Sequence, residues 1–169
     1  MYKASIASGQ RHIYINNPFS NLIPNQITIL MVYKAASRGF DKKNMFYFDH
    51  YKLEDIRITA NGVAILENEP SFTENRYASL YTRVLDAMGN SKSHAISYNY
   101  FGNGYSIISV DCKNSNTQGF LQLEKFGHLN IYMKLAEALA NPINIIIIGY
   151  TSGSLEIDND RRIYTHFNY

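Results

Sequence analysis

The run Ile-Asn-Ile-Ile-Ile-Ile-Gly-Tyr at residues 143–150 constrains the fold more than any other part of the chain. Isoleucine is branched at Cβ, which restricts its side-chain torsion and favours strands over helices. Five isoleucines in eight residues, placed directly after the turn-forming Asn141-Pro142, indicate a strand that is buried on nearly both faces. Such a strand needs cover on each side, as the interior of a β-sandwich provides.

Other segments also carry strand patterns. Residues 26–34 place apolar side chains on both faces, whereas residues 55–60 alternate strictly between apolar and polar. Asn61-Gly62 then supplies the two positive-φ positions of a type I′ turn, so a hairpin to residues 63–66 is the strongest local prediction. Further strands are predicted at residues 105–112, 128–135, 155–157 and 162–167.

One helix interrupts the strands. Between residues 74 and 88 the apolar period changes from two to 3.6. Ser71 or Thr73 can cap its start, with Ser71 and Glu74 at capping-box spacing, and Gly89 can end it. The stripe that we expect to pack on the core consists of Tyr77, Leu80, Tyr81, Val84, Leu85 and Met88.

These elements predict the architecture. Seven to nine turn-punctuated strands with one inserted helix fit an all-β fold, an antiparallel jelly-roll sandwich of two sheets with an amphipathic helix near residues 74–88. No linker-like stretch divides the chain, so residues 1–169 are predicted to form a single jelly-roll domain. A domain of this length buries about 70% of the surface that its unfolded chain exposes.

Composition favours association and argues against several partners. Fourteen tyrosines and nine phenylalanines suit intersubunit contacts, and a net charge of +2 leaves little affinity for a phosphate backbone. The pairs Lys42-Lys43 and Arg161-Arg162 are interpreted as solvated loop charges, so no specific nucleic acid is expected. No apolar run approaches about 20 residues and no signal peptide is recognisable, so we expect no membrane partner and synthesis without secretion.

Motifs for catalysis or metal binding are weak. Cys112, the only cysteine, is interpreted as structural, and the histidines at 12, 50, 94, 128 and 166 lack the close spacing of many metal sites. A cupin-like set of His94, His128 and Glu124 lacks the paired histidines of that class. Asp158-Asn159-Asp160 and Gly102-Asn103-Gly104 are interpreted as turns. We therefore predict no enzyme activity, no catalytic, cofactor-binding or metal residues, and no cofactor.

The order of several segments resembles one known family. Asn44-Met45-Phe46-Tyr47-Phe48-Asp49-His50-Tyr51 is similar to an Asn-Pro-Phe-x-Phe-x-His-Tyr segment in the C-terminal jelly roll of the hexon-like double-jelly-roll major capsid proteins of polinton (Maverick) elements and adintoviruses. Met45 stands where that family usually has proline. The other similar stretches are residues 5–9, 22–27, 102–111, 127–135 and 155–162.

The resemblance implies a structural capsid protein, or a capsid-derived jelly-roll domain, that acts through protein–protein assembly. Its expected partners are copies of itself or related jelly-roll capsid chains in a homo-oligomer, and its expected location is a virion or virus-like particle. Members of that family carry two tandem rolls, so the resemblance implies that this chain is an excised domain, a separately encoded single roll or a host-adopted remnant. The alternative function is a lectin-like or receptor-binding module in which loops rich in tyrosine and asparagine bind a ligand.

Overall fold

A computed structural model describes residues 1–39, 43–88, 96–112, 125–151, 154–157 and 161–166. In these ranges the structure is dominated by strands, with two α-helices and a 3-10 turn at Ala36–Arg38. The helices are α1 (Ala78–Ala87) and α2 (Tyr98–Gly102). The strands are β1 (Tyr2–Ile6), β2 (His12–Asn16), β3 (Leu22–Ile23), β4 (Gln26–Tyr33), β5 (Leu53–Ala60), β6 (Val63–Asn68), β7 (Ile108–Asp111), β8 (Lys125–Phe126), β9 (Leu129–Leu135), β10 (Ile143–Tyr150), β11 (Ser154–Ile157) and β12 (Ile163–His166).

Eight of the strands form a jelly roll. The first sheet has the order β1-β10-β4-β7 and the second sheet the order β2-β9-β5-β6, with every neighbouring pair antiparallel. Four of these pairs are nested in sequence, so that each pair encloses the next, as in one long hairpin: β1–β10, β2–β9, β4–β7 and β5–β6. The pairs β10–β4 and β9–β5 wrap that hairpin into two sheets, which confirms the predicted all-β jelly-roll sandwich.

The core lies between the two sheets. On β10, Ile143, Ile145 and Ile147 are 0% exposed, and Ile145 is in register with Met31 of β4. The intervening Ile146 and Ile148 point to the outer face and are half-buried. The prediction of a strand buried on nearly both faces is therefore confirmed.

The predicted hairpin is also confirmed. Strands β5 and β6 are joined by Asn61 with φ 51° and Gly62 with φ 80°, as a type I′ turn requires. The pairing shifts register between Ile58 and Thr59, which marks a β-bulge.

The predicted helix exists, but it begins later than expected. Residues 71–76 form a turn closed by two backbone hydrogen bonds between Ser71 and Arg76, with Asn75 in the left-handed region at φ 55°. The Ser71 hydroxyl accepts from the Glu74 amide at 3.3 Å, so the capping-box pair stabilises this turn, and α1 starts at Ala78. Leu80 and Val84 are buried as predicted, whereas Gly89 lies outside the described residues.

Candidate functional site

Large apolar side chains are exposed together at one place on the surface. We define the aromatic patch as Met45, Phe46, Tyr47, Tyr100 and Tyr105, whose exposed fractions range from 38% to 63%. The first three lie in the loop that precedes β5, and the two tyrosines flank the end of α2. Among the residues whose side-chain exposure the structure describes, half of the exposed large hydrophobic residues thus belong to the patch.

Backbone hydrogen bonds hold the two halves of the aromatic patch together. The Phe48 amide donates to the Gly104 carbonyl at 2.8 Å, and the Ser106 amide donates to the Phe48 carbonyl at 2.9 Å. The Tyr47 ring lies directly on Gly104, where a Cβ atom would come within 2.2 Å of a ring carbon. Gly104 also has φ +93°, a conformation that residues with a side chain rarely adopt. Both the space under the Tyr47 ring and the backbone conformation therefore require glycine at this position.

A stack of buried and half-buried aromatic rings connects the two segments that carry the patch. His50 stacks on Phe72 with ring centroids 4.1 Å apart, Phe72 stacks on Tyr77 at 4.8 Å, and Tyr77 stacks on Tyr98 at 4.5 Å. Phe101 of α2 contacts this stack and is 0% exposed. The stack therefore joins the loop before β5, through His50, to α2, through Tyr98 and Phe101, and these two segments carry the patch.

Burial shifts the titration of two groups in this region. Burial lowers the pKa of His50. The negative charge of Asp49 partly offsets this by raising the pKa, and the positive charge of Lys52 lowers it slightly further. Burial also raises the pKa of Tyr51, where Asp49 adds to the effect. His50 Nε2 lies 3.9 Å from Asp49 Oδ1, which is beyond hydrogen-bond distance, and burial is the largest cause of both shifts, so we interpret them as results of packing.

The outer face of the second sheet has a different chemistry. We define the polar face as six outward side chains in two rows across β2, β9 and β5: Tyr14, Tyr132 and Arg57 in one row, and Asn16, Asn130 and Thr59 in the other. Together with Asp55 and Ile131 they line a shallow depression of about 410 Å³. The rings of Tyr14 and Tyr132 are 4.9 Å apart, and Tyr14 is 68% exposed.

A carboxylate fixes the guanidinium of the polar face. Asp55 is only 7% exposed and accepts from Arg57 Nε at 3.2 Å, with a second Arg57 nitrogen 3.0 Å from its other oxygen. Hydrogen bonding to Asp55 raises the pKa of Arg57. At the edge of the face, the Tyr132 hydroxyl is 3.0 Å from His12 Nδ1.

Two further depressions adjoin these surfaces. An apolar groove of about 450 Å³ lies on the outer face of the first sheet beside α1, lined among others by Leu30, Ile148, Val84 and Met88. A charged cleft of about 470 Å³ runs along the start of β5 and the turn at 71–76. Its basic groups Lys52, Arg57, Arg76 and Lys134 are each within 4 Å of a carboxylate, so the cleft offers little net charge.

The residues considered as chemical groups in the sequence do not come together in the described structure. Cys112 is buried, with its sulfur 3.9 Å from the Val110 carbonyl, and His128 is exposed. His94, Glu124 and the stretch 158–160 lie outside the described residues, as does Lys42. Lys43 lies 4.9 Å over the Tyr33 ring, and Arg161 and Arg162 are exposed.

No group of three or more His, Cys, Asp or Glu side chains in the described ranges could hold a metal ion. No helix among them is both long and apolar enough to cross a bilayer.

Sequence reasoning found neither surface as a site. Met45, Phe46 and Tyr47 entered only through the family resemblance, and Tyr100 entered no prediction, because exposed rings in a loop have no periodicity to mark them. The polar face had a usable signal, since His12-Ile13-Tyr14-Ile15-Asn16 alternates polar and apolar side chains. The alternation does not reveal which strands lie beside β2, because that depends on the order of the strands in the sheet.

Compared with models of protein families, with curated proteins and with solved structures, the chain has no significant match. The surfaces described above therefore carry the functional argument.

Proposed function

We propose that this chain is a structural jelly-roll subunit that builds a virus-like shell with copies of itself or with related jelly-roll capsid chains. It acts by protein–protein assembly rather than as an enzyme, and its place is the virion or virus-like particle. The observation that carries the proposal is the aromatic patch on a jelly roll. Jelly rolls of this architecture serve as capsid domains, lectins and cupins, so the surface must decide among them.

The composition of the patch suits a protein interface. Tyrosine, phenylalanine and methionine are enriched at the buried centre of protein interfaces. Single exposed apolar residues are common on protein surfaces, whereas contiguous patches of them mark interaction sites. Tyr100 and Tyr105 meet edge to face with centroids 6.1 Å apart, and Tyr47 is held on Gly104. Rings that are already ordered lose little side-chain entropy on binding, which favours affinity.

Two features support a jelly-roll partner in particular. The segments 44–51 and 102–111, which both carry the capsid resemblance, are the two segments that meet in the patch. The formal net charge of +2 also leaves weak long-range repulsion between copies of the chain. A stable interface of this kind buries about 1,200–2,000 Å² in total.

Sedimentation velocity across a concentration series tests the proposal, with electron microscopy of the associated fraction. We expect the unaltered chain to associate and to form rings, lattices or particles. The double variant Phe46→Ser and Tyr100→Ser should weaken association by more than about tenfold, because it removes the two most exposed rings of the patch. Tyr14→Ser is the matched control, since it removes an equally exposed ring from the polar face.

Three outcomes would contradict the proposal. The unaltered chain could stay monomeric at high concentration, the double variant could associate as strongly as the control, or the associated species could be one closed dimer without further assembly. The first two would remove the patch as an interface. The third would keep the interface and remove the shell.

A further inference from the structure

We infer that the polar face is a binding site for a neutral saccharide. This inference does not depend on the proposed shell function, because the polar face shares no residue with the aromatic patch. It also differs from the lectin-like alternative drawn from the sequence, which located tyrosine and asparagine contacts in loops. The structure places them on paired strands, where the backbone positions are fixed by the sheet.

The dimensions of the site fit a small sugar. Its two rows span three strands, which is about 10 Å across at the usual strand spacing, and neighbouring rows lie about 7 Å apart along a strand. The depression of about 410 Å³ falls within the range of small-molecule sites. Tyr14 offers a flat, 68% exposed ring at one edge, on which the apolar C–H face of a pyranose can stack.

The polar side chains of the face are available to a ligand. Within the described part of the chain, the amides of Asn16 and Asn130 and the hydroxyl of Thr59 make no side-chain hydrogen bond. An amide donates and accepts at once, and a hydroxyl does the same. Sugar hydroxyls need donors and acceptors side by side, so this row of three groups matches their requirement.

Charge decides between neutral and acidic ligands. Arg57 is the only cation among the six residues, and its guanidinium is neutralised by Asp55 at 3.0–3.2 Å. An anionic ligand would gain no net attraction and would approach the Asp55 carboxylate. A neutral ligand meets a guanidinium that is oriented by its partner and still has N–H groups to donate.

A printed array of oligosaccharides is the first test, using the full chain and probes that end in glucose, galactose, mannose or N-acetylglucosamine, with sulfated and sialylated versions of each. We expect saturable binding to one or more neutral probes and none to their acidic versions. Calorimetric titration of the strongest probe then compares variants. Tyr14→Ala and Asn130→Ala should each weaken binding by about tenfold, the equivalent of one lost aromatic or bidentate contact.

Two variants separate binding from folding. Tyr150→Ala removes a 50% exposed tyrosine from the first sheet and should leave affinity within about twofold of the unaltered chain, well below one lost contact. Thr59→Val keeps the side-chain shape and removes only the hydroxyl, so its weaker binding at an unchanged melting temperature assigns the loss to a hydrogen bond. The inference is overturned by an array without neutral binding, by preference for acidic probes, or by equal affinities of Tyr14→Ala, Asn130→Ala and Tyr150→Ala.

Discussion

The aromatic patch and the polar face both use tyrosine, yet they present it in opposite settings. In the patch, Tyr47, Tyr100 and Tyr105 lie beside methionine and phenylalanine, in segments joined by a few backbone hydrogen bonds. On the polar face, Tyr14 and Tyr132 lie on paired strands beside amides and a neutralised guanidinium.

The difference teaches that neighbours, more than residue type, determine what a tyrosine recognises. A ring among apolar groups gains most by excluding water, which a protein surface of similar chemistry achieves. A ring among amides and hydroxyls can stack on one face of a ligand while its neighbours make hydrogen bonds. Each prediction below changes one of the two surfaces, or the core that both share.

The largest effect is expected from the core, since both surfaces depend on it. Ile145→Ala removes a side chain that is 0% exposed and should lower the free energy of unfolding by about 2–5 kcal/mol. Urea denaturation measures this value. Ile146→Ala is the control on the same strand, because its side chain is half-buried on the outer face and should cost clearly less. Equal losses in the two variants would contradict the assigned inside and outside of β10.

A smaller effect should separate the patch from the polar face. Gly104→Ala places a Cβ atom on the Tyr47 ring and strains a backbone at φ +93°, so we expect a loss of stability of at least about 1–2 kcal/mol and weaker self-association. Gly9→Ala is the control, because Gly9 has φ +83° with no atom within 4 Å of the added carbon. Gly9→Ala therefore introduces the same kind of backbone strain as Gly104→Ala, but without a steric clash with a neighbouring side chain.

Denaturation, sedimentation and saccharide titration of the two glycine variants give the comparison. Gly104→Ala should lose association and keep saccharide affinity, whereas Gly9→Ala should keep both. If both variants associate equally well, the position of Tyr47 does not matter to the interface.

Much of the fold could be predicted from the sequence because its determinants are local. The isoleucines of β10 and the Asn61-Gly62 turn each specify their own structure within a few residues. The start of α1 could not be predicted, because Ser71 has capping-box spacing but its hydroxyl stabilises a turn. That choice depends on the antiparallel bridge to Arg76, and a hydrophobic period does not reveal such a bridge.

The surfaces were harder to predict because they are assembled from distant parts of the chain. Asn16, Asn130 and Thr59 become neighbours only through the order β2-β9-β5, and nothing near Asn16 in the sequence specifies that order. Likewise, Tyr47 and Gly104 are far apart in sequence and meet through the bridge between Phe48 and Tyr105. Long-range pairing, rather than residue type, thus creates both surfaces.

The neutrality of the polar face gives the next prediction. Asp55→Asn keeps an oxygen beside Arg57 but leaves the guanidinium unneutralised, so sulfated saccharides, which should not bind the unaltered chain, should bind this variant measurably. Glu69→Gln is the control, because it makes the same change in net charge at a 79% exposed group 4.0 Å from Arg57. Titration with one sulfated probe measures both. An equal gain in the two variants would show that overall charge, rather than the Asp55 pair, selects the ligand.

The smallest effect concerns acid pH and the aromatic stack that contains His50. Burial against Phe72 lowers the pKa of His50 from its ordinary 6.5, so the folded chain favours the neutral ring and the unfolded chain takes up a proton first. The free energy of unfolding should therefore be unaffected above about pH 6.5 and should fall as the pH drops from there towards the lowered pKa. The decline cannot exceed about 1.4 kcal/mol per pH unit for one group.

Urea denaturation between about pH 5 and pH 7.5 tests this against two variants. His50→Gln keeps an acceptor for the Lys52 amide, which donates to His50 Nδ1 at 2.9 Å, and should lose the part of the decline that His50 causes. His12→Gln removes the histidine beside Tyr132 of the polar face and should keep that part. A decline of equal size in all three proteins would instead assign the acid sensitivity to other groups, such as the carboxylates.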